Sequence, residues 1–174
     1  MGDTDCDSLS GCSGHGTCAE NVCICQDGYG SSTDIMVYKS PKCDQRSCPA
    51  GRSWADVPTK SNTGHKLSEC SDSGLCNRDN GICECFDGYD GSACERTECK
   101  DNCNNHGRCL SMKEAAVSTN ALPLLCYPTK YSGNEATTTW DENMIHGCVC
   151  DSSWEVGYGN GERQIPEYYG SSCQ

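Results

Sequence analysis

The chain has 174 residues, of which 19 are cysteine, and 25 acidic side chains outweigh 13 lysines and arginines for a net charge of −12. That cysteine density marks the disulfide scaffold of an oxidising compartment and excludes an ordinary cytosolic protein, while a pI near 4.6 excludes nucleic acid and anionic membrane surfaces as partners. With one phenylalanine against 19 glycines the chain cannot build a sizeable apolar core, so covalent staples must replace burial.

Taken in chain order, Met1-Gly-Asp-Thr-Asp5 is polar from the start and is not a signal peptide. Disulfides in this number still require secretion, so the sequence is expected to be a mature product or a piece of a longer chain. No run approaches the ~18 apolar residues of a membrane span; the best stretch is Ala121-Leu-Pro-Leu-Leu125.

The cysteines repeat. Cys-x-Cys occurs at Cys23/Cys25, Cys83/Cys85 and Cys148/Cys150, each preceded by a Gly-x-Cys turn at Gly16-Thr-Cys18, Gly74-Leu-Cys76 and Gly107-Arg-Cys109. One further cysteine follows each, so the spacing divides the chain into three sets of six. The first holds Cys6, Cys12, Cys18, Cys23, Cys25 and Cys43; the second Cys48, Cys70, Cys76, Cys83, Cys85 and Cys94; the third Cys99, Cys103, Cys109, Cys148, Cys150 and Cys173. The corresponding domains are 1–45, 46–97 and 98–174, the last with a long insertion at about 110–147. Six cysteines can pair in many ways, and spacing alone does not choose among them.

Within the first module a strand is expected over Ile35-Met-Val-Tyr38. In the second, an insertion between Cys48 and Cys70 carries Trp54 and His65, and Asp79-Asn-Gly81 predicts a tight type I′ hairpin turn. In the third, Ser111-Met-Lys-Glu114 is a capping-box pattern that predicts a short helix stopped by Pro123. That insertion ends on Thr137-Thr-Thr-Trp140. The linkers Asp44-Gln-Arg-Ser47 and Glu95-Arg-Thr-Glu98 are short, so neighbouring modules are expected to pack in series as a semi-rigid rod.

The spacing resembles that of the EGF-like domain. The best match is Cys76-Asn-Arg-Asp-Asn-Gly-Ile-Cys83-Glu-Cys85-Phe-Asp-Gly88-Tyr89-Asp-Gly91-Ser-Ala-Cys94. The resemblance implies a small disulfide-rich fold of three tandem EGF-like modules with short β-hairpins, long loop insertions and little helix. It implies Cys6–Cys18, Cys12–Cys23 and Cys25–Cys43; Cys48–Cys76, Cys70–Cys83 and Cys85–Cys94; and Cys99–Cys109, Cys103–Cys148 and Cys150–Cys173. A wider resemblance covers about residues 46–174. It rests on Cys48-Pro-Ala-Gly-Arg-Ser-Trp54-Ala-Asp56, on Glu69-Cys70-Ser-Asp-Ser-Gly74, on Cys103-Asn-Asn-His106-Gly107-Arg-Cys109-Leu-Ser-Met, and on Thr139-Trp140-Asp141 through Gly147-Cys148-Val-Cys150-Asp-Ser-Ser-Trp154. These segments look like the EGF-bearing proteins of tubular mastigonemes, the hair-like filaments on flagella of stramenopile algae and oomycetes. That family implies a structural, polymerising extracellular protein at the flagellar surface.

Cys126 belongs to none of the three sets. An odd cysteine in a secreted chain reads as an intermolecular bond or an unpaired thiol. No cofactor is expected. Asp3-Thr-Asp5 only partly matches the acidic run that precedes a calcium-binding module, which leaves calcium held between subunits by carboxylates as the route by which that ion would act. The periodic cysteines leave no matched pairs for structural zinc. His15 and His106 recur in Cys-x2-His-Gly turns, while His65 and His146 lack acid, base or nucleophile partners at a motif spacing, so no catalytic residues are expected and the chain reads as a non-enzyme. No Asn-x-Ser/Thr acceptor is present; Thr137, Thr138 and Thr139 are candidates for O-glycosylation. Trp54 and Trp140 are candidate subunit contacts.

The leading expectation is therefore a structural subunit of an extracellular, mastigoneme-like filament, partnered by copies of itself and by glycans. The alternative is an adhesion or receptor fragment that binds a protein or a glycan. EGF-like modules serve in both settings, so the fold does not discriminate between them.

Overall fold

The computed structural model of the chain describes residues 6–30, 41–117, 131, 138–151 and 168–174. Ile35–Tyr38, Pro123, Cys126 and Thr137 lie outside the described residues.

Among the described residues nine disulfides hold the fold. In each set of six the first cysteine joins the third (Cys6–Cys18, Cys48–Cys76, Cys99–Cys109). The second joins the fourth (Cys12–Cys23, Cys70–Cys83, Cys103–Cys148). The fifth joins the sixth (Cys25–Cys43, Cys85–Cys94, Cys150–Cys173). Each closed loop stabilises by about 2–4 kcal/mol, mainly by restricting the unfolded chain. The sulfurs form the interior: among the described residues the buried apolar side chains are cysteines, with Ala93, Ala116, Met144 and Val149 beside them.

The strands are short and antiparallel. β1 (Gly16–Ala19) pairs with β2 (Val22–Cys25), β3 (Ala50–Arg52) with β4 (Leu67–Glu69), and β5 (Gly74–Asn77) with β6 (Ile82–Cys85). Two two-residue strands follow, β7 (Tyr89–Asp90) and β8 (Arg96–Thr97). β9 (Gly107–Ser111) then pairs with β10 (His146–Cys150). In three of these hairpins the third and fourth cysteines stand directly opposite, Cys18↔Cys23, Cys76↔Cys83 and Cys109↔Cys148. Opposed residues share a sheet face, so both reach from one face to clamp the segment that carries the first and second cysteines.

That segment turns left-handed. Cys12, Cys70 and Cys103 have φ of 59°, 50° and 54°, and neighbours such as Ser13, Ser71 and Asn102 share the sign. Each such residue costs about 1 kcal/mol or more for an L side chain, and the disulfides at these cysteines hold the turn against that cost.

Spacing also sets the hairpin loops. Four residues separate Cys18 from Cys23, which leaves a two-residue turn at Glu20-Asn21 with both φ positive, 49° and 62°, as a type I′ turn requires. Six residues separate Cys76 from Cys83, so the same register leaves Arg78–Gly81 as a four-residue loop, closed by Gly81 N donating to Asn77 O at 2.8 Å. Only Gly81 there has positive φ. The tight turn expected at Asp79-Asn-Gly81 is thus a longer loop, and the I′ geometry sits in the first module.

The helix α1 (Met112–Val117) is capped as its sequence predicts: Ser111 Oγ accepts from Glu114 N at 3.2 Å and Glu114 Oε2 accepts from Ser111 N at 2.9 Å.

The chain divides into two compact units, Met1–Val57 with His65–Glu95, and Pro58–Gly64 with Arg96–Gln174. The first two cysteine sets share a unit, a coarser grouping than one unit per set. The segment Pro58–Gly64, from the insertion of the second set, is held in the other unit, where the Trp140 ring lies against Gly64 and Asn62 Nδ2 donates to Thr138 O.

Candidate functional site

In the first unit the linker Asp44–Ser47 is bonded to the module on each side of it. On the first module, Gly30 N donates to Gln45 O at 2.8 Å and Ser47 N donates to Gly28 O at 3.0 Å. The Arg46 guanidinium lies 4.9 Å from the centroid of the Tyr29 ring, a cation–π contact. Tyr29 is itself stacked on His15, with ring centroids 3.9 Å apart and planes 8° from parallel.

On the second module, Arg46 N donates to Arg78 O at 3.0 Å, and Arg78 Nη1 donates back to Arg46 O at 3.2 Å. Arg78 also forks onto Glu69, with Nη1–Oε1 at 2.7 Å and Nη2–Oε2 at 2.6 Å. The Glu69 side chain is only 8% exposed, so this bidentate pair is shielded from water and stronger than a surface ion pair. Glu69 Oε1 accepts a further bond from Cys48 N at 2.9 Å. Gly81 closes over the linker: a β-carbon there would meet Ser47 O at 3.1 Å. A four-residue linker spent on bonds to both neighbours has little freedom left to hinge.

The two tryptophans singled out in the sequence are half-buried and packed inside their own units. Trp54 Nε1 donates to Cys94 O at 2.8 Å, and its ring meets Tyr89 edge-on at 4.9 Å. Trp140 covers Gly64. Tyr89 therefore takes an indole from the insertion where Tyr29 takes a histidine. The second unit repeats the histidine version, His106 stacking on Tyr168 at 3.9 Å and 7°.

The other histidines are also placed. His65 Nδ1 meets Ser53 O, and the His146 backbone brackets Thr97, whose Oγ1 accepts from His146 N at 2.7 Å and donates to His146 O at 3.1 Å. In the same unit Lys113 Nζ bonds buried Glu142 at 2.7 Å. A hydrogen bond from Tyr131 to Asp141 pushes the phenol pKa up, because the bond favours the protonated form. The carboxyl of Glu114 is held below its ordinary value, first by the Ser111 backbone N–H and then by the Ser111 hydroxyl. The first two bridges of each module crowd their sulfurs, as at Cys6, Cys12 and Cys23, all within 4.8 Å; these are disulfide sulfurs and not thiolates, which are what a metal would need. Of the hydroxyl cluster, Thr138 is exposed and Thr139 half-buried.

Sequence reasoning found the short linker but missed Arg78 and Glu69, which lie nine residues apart in the second module. A bidentate pair leaves no spacing signal unless it falls on one helix or a known register.

No protein-family model matches the chain, and no curated protein does.

Proposed function

We propose that the chain is a structural subunit of an extracellular filament, a mastigoneme-like fibre that self-assembles through EGF-like modules. The observation that carries this reading is the linker Asp44–Ser47, bonded to the modules on both sides and braced by the Arg78–Glu69 pair. A linker of that kind transmits load and orientation, where a flexible tether would only keep two binding modules in reach of each other. The disulfide-built interior supports the same reading, because it withstands extension without a large apolar core. Nine disulfides place the chain in an extracellular or secreted setting, and among the described residues no helix is long and apolar enough to cross a membrane.

Association of chains that each carry a charge of −12 needs covalent links or bridging cations to offset repulsion. Cys126 and interchain calcium are the corresponding candidates. Electron microscopy of the purified chain over a concentration series, with and without chelator and reductant, tests the proposal. Fibres with a repeat of one or a few module lengths support it. Monodisperse monomers under every condition would overturn it.

A further inference from the structure

The first unit wears its large apolar side chains on the outside. Among the described residues no Leu, Ile or Phe is buried, yet Leu75, Ile82 and Phe86 are 64%, 59% and 49% exposed. Phe86 is the only phenylalanine in the chain. These three residues gather on one hairpin. Leu75 stands opposite Glu84 and Asn77 opposite Ile82, so the four share the face turned away from Cys76 and Cys83. Phe86 N donates to Ser73 O at 2.9 Å, which carries the ladder one step further and brings Phe86 to the Leu75 end of that face. An interior built from cystine makes no use of these side chains. A cluster of large apolar groups that folding does not require is the usual mark of an interaction surface.

The face is acidic as well as apolar: Glu84 lies on it and accepts from Asn77 Nδ2 at 3.1 Å, and Asp79 and Asp87 adjoin it at its rim; all three are exposed. Arg78 is the one basic residue between Gly74 and Cys94, and its guanidinium is held by Glu69 and by Arg46 O. Among the described residues the β5–β6 sheet is two-stranded, and the outer edges of such a sheet offer backbone groups for strand addition. A second copy would bring the same acidic rim against itself, which like-charge repulsion disfavours.

We infer that the outer face of β5–β6 docks a cationic extended segment of another protein. Alternate apolar side chains of that segment would rest on Leu75, Ile82 and Phe86, and its lysines or arginines would meet Asp79, Glu84 and Asp87. The inference goes beyond the filament proposal and stands without it.

The probe is a synthetic peptide that alternates lysine with valine and one tyrosine, titrated into the full chain and followed by calorimetry. The control is the same peptide with glutamate for lysine. Binding of the lysine peptide should weaken at least about tenfold in Leu75→Ser/Phe86→Ser, since loss of central apolar anchors removes most of an interface's affinity. It should weaken about threefold or more in Glu84→Gln/Asp87→Asn, and on raising salt from about 0.05 M to about 0.5 M, where screening shortens the reach of exposed charges. Equal binding of both peptides, no binding of the lysine peptide, or full binding by Leu75→Ser/Phe86→Ser would overturn the inference. So would two further results with that double variant. Loss of self-association seen in the wild type would mean the face joins two copies. A lower melting temperature with all disulfides formed would mean the chain covers the face itself.

Discussion

Replacing Gly74 with alanine is a sharp test of how the hairpins and staples fit together. Gly16, Gly74 and Gly107 open the first strand of their hairpins, and each lies against the sulfur of its module's last bridge. A β-carbon on Gly74 would stand 2.6 Å from Cys94 Sγ, 2.8 Å from Glu84 O and 3.1 Å from Cys85 Cα. Ordinary contact needs about 3.5–4.0 Å, so something must move by roughly 1 Å. None of the three atoms ends a flexible side chain: one is a disulfide sulfur and two belong to the partner strand. Overpacking of this kind costs about 1–3 kcal/mol. Against it stands a gain of about 0.4–1 kcal/mol, because alanine restricts the unfolded chain more than glycine. The midpoints of the two ranges leave about 1.3 kcal/mol against folding, which at about 4–8 °C per kcal/mol for a domain of this size lowers the melting temperature by about 5–10 °C. Gly147→Ala is the internal control, since nothing lies within 4 Å of its added carbon and its φ is not positive; it should change stability by no more than about 1 kcal/mol. Non-reducing thermal unfolding, with a count of free thiols after oxidative refolding, checks both. If Gly74→Ala melts and pairs like the wild type while Gly147→Ala falls, the packing account of these glycines is wrong.

The junction predicts a protease result. Trypsin cuts after arginine, and the Arg46–Ser47 bond sits in a linker bonded on both sides, with no disulfide crossing it. Arg78→Ala removes hydrogen bonds to a charged partner worth about 1.5–3 kcal/mol, so the cut should speed by about tenfold or more, and an unchanged rate would remove the brace from the account. For pH, Glu114 has a folded-state pKa below its ordinary value of 4.5, through the Ser111 N–H and hydroxyl. Its contribution to α1 is present above that ordinary value and lost as pH falls through the depressed one. NMR titration should show the Glu114 carboxyl and the Ser111 amide moving together below the ordinary value, and an ordinary Glu114 titration would refute the cap's effect. Cys126→Ser is expected to abolish reductant-sensitive dimers on non-reducing gels; identical oligomers in the variant would dismiss a covalent link there.

Much of the local frame was legible in the residues. The count and spacing of cysteines grouped eighteen of them into three sets of six, because a staple-built module repeats its staples. Ser111 and Glu114 announced the cap of α1, since both partners of that bond lie within one turn. The Gly-x-Cys pattern was visible too, but its cause was not: only the folded bridge shows that a sulfur occupies the space a side chain would need at Gly16, Gly74 and Gly107. The type I′ turn fell at Glu20-Asn21 and not at Asn80-Gly81, because the opposed cysteines set the register and left four residues to span. Above all, tertiary structure decided how the linkers and the tryptophans are used. Arg78, Glu69 and Arg46 meet through backbone and side-chain bonds between residues distant in sequence, and such meetings carry no periodicity. Trp54 and Trp140, conspicuous in the sequence as anchors for a partner, are packed within their own compact units, Trp54 onto Cys94 O and Trp140 against Gly64, while Leu75, Ile82 and Phe86 are left outside by an interior that sulfur already fills.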